Sequence, residues 1–179
     1  MFGTIGPRKG IHCLAAAALI DGSELVLTLA GSIVPGYEDD VSTLAGLLRS
    51  HGVALDLRDH WHEEREAIEL LGRARCVVLP YVEHYGMSRV LLEAAYAGTP
   101  VVVHNTGLLG HLVNTHKIGI AVDINSPAAF RRAIDALCHD DSLWESYHGA
   151  TARFASRYSE GRFAATLTKA LDAPRQIRP

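Results

Sequence analysis

The chain of 179 residues is short of cysteine, with three. Cys13, Cys76 and Cys138 are far apart and odd in number, which excludes a disulfide framework or a four-cysteine zinc site and points to a reducing compartment, the cytoplasm. Long apolar runs are missing too. Runs such as Cys76–Pro80 are strand-sized, and none approaches the ~20 residues a membrane helix needs. An excess of positive charge is absent, because Lys+Arg is 17 against Asp+Glu 20, a formal net charge of -3. Bulk attraction to nucleic acid or to an anionic membrane is thereby excluded as a binding mode. The first residues carry neither the basic region nor the apolar core of a signal peptide. They open almost inside a strand-loop-helix unit, as a domain cut from a longer protein would.

What is present is a core: 48% hydrophobic against 21% charged residues marks a globular chain, and the length suits one domain. Short β-rich runs alternate with helical stretches, the pattern of a parallel sheet covered by helices. Strands are expected over residues 24–30, 53–57, 76–79, 100–103 and 119–122. Helices follow from the stripes Ile11/Leu14/Ala15/Leu19, Val41/Leu44/Ala45/Leu48 and Ala67/Ile68/Leu71/Ala74, and from residues 88–97. Toward the end, Ser126-Pro127 reads as a cap followed by a first-turn proline. Ser142-Leu-Trp-Glu145 reads as a capping box, and Ser159 as the cap of a last helix that turns Phe163, Leu167 and Leu171 inward. The expected fold is α/β: a doubly wound, Rossmann-like open parallel sheet of about six strands with helices on both faces. One domain over residues 1–172 is expected, with a frayed tail over 173–179.

Ligands of such sheets bind beyond the carboxyl ends of the strands, so the exit loops carry the chemistry. In Gly3-Thr-Ile-Gly-Pro-Arg-Lys-Gly10, glycines permit close backbone approach and Arg8-Lys9 place two cations before a helix start, a combination suited to phosphate. Solvated cations on a glycine turn would look the same. The glycine spacing is neither a dinucleotide fingerprint nor a P-loop, which argues against a dehydrogenase. After the central strand, Gly86 to Ser88 lead into a helix whose free N–H groups can face an anion. Glu93 lies inside that helix in the otherwise apolar Val90-Leu-Leu-Glu-Ala-Ala-Tyr-Ala97, and a buried carboxylate there needs partners. The histidines, 10 in all, include His60 and His62 around Trp61 and His111 and His116. Neither pair has the His-x3-His spacing of zinc proteases and no third ligand is evident, so solvated or capping roles, and no metal, are expected.

The segments Phe2-Gly-Thr-Ile-Gly-Pro-Arg-Lys-Gly-Ile11, Leu29-Ala-Gly31, Cys76-Val-Val-Leu-Pro-Tyr81, Arg89-Val-Leu-Leu-Glu-Ala-Ala95 and Gly98-Thr-Pro-Val-Val-Val103 occur in this order. Together they resemble the carboxyl-terminal, donor-binding half of family-four retaining glycosyltransferases of the GT-B architecture. The resemblance covers about residues 2–171. It implies a nucleotide-diphosphate-sugar donor, no separate cofactor, and an acceptor held by a missing amino-terminal domain, through which the inner face of the membrane could be reached. By the same resemblance Lys9, with Arg8 and Gly6, faces the donor diphosphate. Gly86, Met87 and Ser88 offer the segment facing sugar and phosphate, flanked by Glu83 and Tyr85, and Glu93 takes the ribose. The base is implied near residues 58–62 and 80–82; no residue is implied as the catalytic group. Two positions depart from the pattern. Thr4 stands where the family commonly has arginine, and Tyr85 where it often has a glutamate. A non-catalytic sugar-nucleotide-binding module and a GT-B-like sugar-nucleotide epimerase therefore stay open beside a transferase.

Overall fold

The computed structural model describes residues 1–20 and 25–172. The expected tail over 173–179, and Glu24 at the expected start of the first strand, lie outside the described residues. From the amino end, a short 3-10 turn, Pro7–Lys9, leads into α1 (Ile11–Ala18). Then follow β1 (Val26–Ala30), α2 (Glu38–Ser50), β2 (Ala54–Arg58), α3 (Glu64–Gly72), β3 (Val77–Leu79), α4 (Arg89–Tyr96), β4 (Val101–His104), α5 (Gly107–His116) and β5 (Gly119–Val122). Three helices close the chain: α6 (Pro127–His139), α7 (Asp141–Arg157) and α8 (Glu160–Asp172).

All strand pairs are parallel. β1 pairs with β2 from Val26↔Ala54 to Ala30↔Arg58. β4 lies between β3, with Val77↔Val101, and β5, with Val101↔Gly119. The result is an α/β fold in which helices flank two parallel sheets, one of two strands and one of three, among the described residues. This is a smaller count than the expected six. The shortfall lies at residues 1–5, which make only isolated bridges, Phe2↔Ala30 and Ile5↔Ile33. Gly3, at φ 93°, breaks the extended backbone after two residues, so no continuous strand forms there.

β3 and β4 are buried along Val77–Leu79 and Val101–Val103, which is why both read as unbroken apolar runs. One apolar cluster packs Leu79, Val103, Leu91 and Phe154 on one side of the sheet, and another packs Leu14, Leu29, Val102 and Phe130 on the other. Buried Arg131 ties the second layer together. Its Nη1 donates to the Ile20 carbonyl at 2.7 Å, beyond the end of α1, while its Nε donates to Asp135 at 2.9 Å.

Two expectations about the last helices need correction. Asp140 caps α7, accepting from the Leu143 N–H at 2.9 Å, and Ser142 falls inside the first turn. In α8, Ser159 does accept from the Arg162 N–H at 3.4 Å. Phe163, Leu167 and Leu171, however, point outward, exposed by 67%, 47% and 75%. The helix has the expected stripe, but no described part of the chain lies against it.

Candidate functional site

The amino-terminal turn is pressed onto the exit of β3. Gly10 has φ 67°, and a Cβ there would run into the Pro80 carbonyl, so only glycine fits. The Val82 N–H donates to the Arg8 carbonyl at 3.0 Å, and Arg8 Nη2 donates to the Glu83 carbonyl at 2.8 Å. Glu83 itself sits at φ 51°, an uncommon conformation for a side chain of its size. These contacts between distant parts of the chain carry Lys9 inward. Its Nζ donates to the Phe2 carbonyl at 3.0 Å and to Tyr81 Oη at 2.8 Å.

Around Lys9 lies a cleft of two lobes, with volumes of about 330 and 510 Å³, which share Thr4, Lys9, Arg89 and Val90. The smaller lobe is also lined by Gly3, Ser32, Trp61, His62 and Glu93. The larger adds Gly6, Arg8, Tyr81, Met87 and Ser88. The cleft thus opens beyond the carboxyl ends of β1, β2 and β3, where such a sheet binds ligands.

Electrostatically the floor of the cleft is poised for an anion. Burial lowers the Lys9 pKa to about 8, and the charge of Glu93 only partly opposes that shift. An ammonium has three donors, and two are used, so one remains for a ligand. Burial also pushes the Tyr81 hydroxyl up to about 12, so it stays protonated and can accept from Lys9 while donating onward. Its neighbour is Ser88 Oγ at 3.4 Å. Ser88 caps α4 by accepting from the Leu91 N–H at 3.4 Å. The start of this helix, with its positive dipole end, therefore borders the larger lobe. Glu93, whose residue is 8% exposed, gains the partner its burial demands: Arg89 Nε donates to Oε1 at 2.7 Å, one helical turn back.

Of the residues singled out from the sequence, Lys9, Arg8, Gly6, Met87, Ser88 and Glu93 line this one cleft. Glu83 and Tyr85 do not; they border a separate 230 Å³ cavity with His104 and Asn125, and Tyr85 is 79% exposed. Gly86 lines none of these cavities. Sequence reasoning gave Arg89 no role, and reached Trp61 and Tyr81 only as members of the ranges 58–62 and 80–82 implied for the base. Arg89 had a signal, its i,i+4 spacing to Glu93. Trp61 had another, an aromatic in an exit loop, and it is 73% exposed on the lining of the smaller lobe. The expectation of a solvated His62 is corrected, because its side chain is fully buried. His62, His60 and Glu66 converge at the edge of that lobe, with one donor atom from each within 4.8 Å of the others.

Residues 1–154 match the profile of the family described as glycosyl transferases group 1. The chain belongs to that family. It is 33% identical over 143 residues to a glycogen synthase of Mycobacterium tuberculosis, covering 77% of this chain and 33% of that protein. A D-inositol 3-phosphate glycosyltransferase of Arthrobacter sp. is 30% identical over 180 residues, covering 96% of this chain and 41% of its own length. The chain therefore spans between a third and about two-fifths of these curated relatives. Among solved structures, the Anabaena protein HepE in complex with UDP and glucose superimposes with a TM-score of 0.79 at 20% identity, over 93% of this chain and 47% of that one. The catalytic domain of the Helicobacter pylori cholesterol-α-glucosyltransferase gives a TM-score of 0.74 at 18% identity, over 89% of this chain and 96% of that one. The fold is thus the GT-B, Rossmann-like fold of glycosyltransferases. Among the described residues, no helix is long and apolar enough to cross a membrane.

Proposed function

We propose that this domain binds the nucleoside-diphosphate-sugar donor of a glycosyltransferase, in the two-lobed cleft around Lys9. The observation that carries the reading is Lys9 itself, a mostly buried cation with a spare donor at the junction of both lobes. In sugar transfer the bond between the anomeric carbon and the diphosphate breaks, and negative charge develops on the departing oxygen. Lys9 and the start of α4 stabilise that charge without rearranging, because both are already held in place. Arg8 is fastened to the Glu83 carbonyl by one guanidinium nitrogen and has further donors for the diphosphate. Glu93, oriented by Arg89, accepts from the ribose hydroxyls in the smaller lobe. Trp61 offers its ring face to the base there. Transfer proceeds with retention, onto an acceptor held by a second domain. The outward stripe of α8 supports a further body of protein beyond this chain, since an amphipathic helix is stabilised by covering such a stripe.

One observation favours the second reading, a binding module without catalysis. Thr4 brings no charge to either lobe it lines, and Tyr85 stands outside the cleft. Calorimetric titration of the domain with UDP, GDP and uridine tests donor binding. Lys9→Ala is expected to weaken UDP or GDP by about 1.5–3 kcal/mol, the worth of a charge-assisted hydrogen bond, and to leave uridine unchanged. Glu93→Gln is expected to weaken uridine and UDP alike. Equal UDP and GDP affinities in wild type, Lys9→Ala and Glu93→Gln would remove the assignment. Proton NMR of the product's anomeric configuration, made by the whole protein, tests retention and separates an enzyme from a binding module.

A further inference from the structure

We propose that His60, His62 and Glu66 form a binding site for a zinc-class divalent cation at the rim of the smaller lobe. The donors converge on one point. His62 Nδ1 lies 2.9 Å from Glu66 Oε1, and His60 Nε2 lies 3.8 Å from the same oxygen. Zinc bonds of about 2.0–2.2 Å at tetrahedral angles set neighbouring ligand atoms about 3.3–3.5 Å apart, and the two observed separations bracket that value. The third separation, His60 to His62, lies within 4.8 Å, and rotation of the half-exposed His60 side chain closes it.

His62 supplies the independent reason for a ligand. Its imidazole is wholly buried, yet neither ring nitrogen has a hydrogen-bond partner, since the approach of Glu66 Oε1 to Nδ1 is off the line of such a bond. A buried ring with two orphaned nitrogens is costly in a fold that otherwise pairs its polar groups. A cation coordinated by Nδ1 removes one of those orphans. The two imidazoles are in contact, with centroids 4.1 Å apart and planes tilted by 44°.

The chain makes this site locally. His60 and His62 alternate about Trp61, and Glu66 lies four residues beyond His62 in the first turn of α3. The helix fixes the carboxylate, and the loop has only to bring the rings to it. Two imidazoles and one carboxylate suit zinc, nickel or copper, whereas magnesium and calcium demand mostly oxygen. Three protein ligands leave a fourth position for water or for a group in the cleft. A bound cation would clip residues 60–62 to α3 and hold Trp61 at one orientation on the cleft lining. His-x-His-x3-Glu differs from the protease spacing, which is why the pair alone gave no sign of it.

The test is equilibrium dialysis of the EDTA-stripped chain against Zn²⁺, with Mg²⁺ as control, alongside His60→Asn and Glu66→Gln. His60 and Glu66 are about half exposed, so both variants are expected to fold. The expected result is one zinc per wild-type chain, no magnesium, and a Kd raised at least about tenfold in each variant, since even partners of metal ligands are worth 10–100-fold. Zinc should raise the melting temperature of wild type and not of Glu66→Gln. Co²⁺ in place of zinc should give the intense visible absorption of a four-coordinate site, lost in His60→Asn. Absence of zinc binding overturns the proposal. So does zinc affinity that stays within threefold of wild type in either variant, which would place the metal on other histidines.

Discussion

The two ends of the cleft are built in different ways. At the Lys9 end most supports join distant stretches of chain. Gly10 abuts Pro80, Arg8 bonds to the Val82 N–H and the Glu83 carbonyl, and Lys9 reaches back to Phe2 and across to Tyr81. At the Trp61 end the polar groups lie within a few residues, His60, His62 and Glu66 on one loop and the helix that follows, and Phe2 is the long-range packing partner. The first end therefore exists only when the whole sheet is assembled. The second can vary in side chain while the sheet stays intact. A cation held by long-range backbone contacts suits the invariant diphosphate of a donor, and a locally built aromatic rim suits its variable part.

The largest break in this comparison is Gly10→Ala. The left-handed backbone alone costs about 1–2 kcal/mol, and the new methyl meets the Pro80 carbonyl as well. Urea unfolding is expected to show a loss of at least that size. Lys9 should be displaced with the turn, while zinc binding at the Trp61 end of the folded fraction persists. Unchanged stability would mean that the turn is not pressed onto β3.

Much of this architecture was legible. Strands buried on both faces leave runs such as Val101–Val103, and an amphipathic helix leaves its stripe. The errors have physical causes. The stripe of α8 has the same period whether or not the chain supplies something to cover it, so Phe163, Leu167 and Leu171 read as inward and are not. At the start of α7, Asp140 and Ser142 compete as caps. The Asp140 carboxylate reaches the Leu143 N–H, which leaves Ser142 in the helix. The opening of the chain makes only isolated bridges, because Gly3 turns the backbone. Lys9 and Ser88, which line the cleft, were legible as candidates because charge and helix start are local properties. Glu83 and Tyr85, implied by the resemblance, line a cavity that adjoins the larger lobe at His84, because the loop after β3 turns them away from Met87 and Ser88. His62 was read as solvated or capping because burial of a loop residue depends on Phe2, which packs 5.6 Å from its ring and is sixty residues away in sequence.

The pH dependence of binding sharpens the contrast next. With its folded pKa near 8 against an ordinary 10.5, Lys9 binds less of a proton in the fold between those values. Its linkage contribution to stability thus rises from pH 8 to 10.5 and is lost as pH falls through 8; near neutrality the fold carries a buried charge at some cost. A bound diphosphate restores the charge, so binding above pH 8 requires proton uptake. UDP affinity is expected to fall by up to about tenfold per pH unit above 8, and the heat of binding at pH 8.5 to vary with the ionisation enthalpy of the buffer. Both effects should vanish in Lys9→Ala. A flat profile between pH 7 and 9.5 would mean that no anion contacts Lys9.

Trp61→Ala has the smallest expected effect and separates the two ends most sharply. Trp61 is 73% exposed, so its removal takes little apolar surface out of the core and the melting temperature should be unchanged. If its ring carries the base, affinity should fall by about 1 kcal/mol, the lower part of the range for base–aromatic stacking. The loss should be the same for uridine, UMP and UDP, because the contact ignores phosphate. Lys9→Ala makes the opposite pattern, sparing uridine and weakening UDP. Calorimetry of the three ligands on both variants reads the cleft from each end. If Trp61→Ala weakened UDP and spared uridine, the base and diphosphate would have to exchange lobes, with the ribose no longer within reach of Glu93.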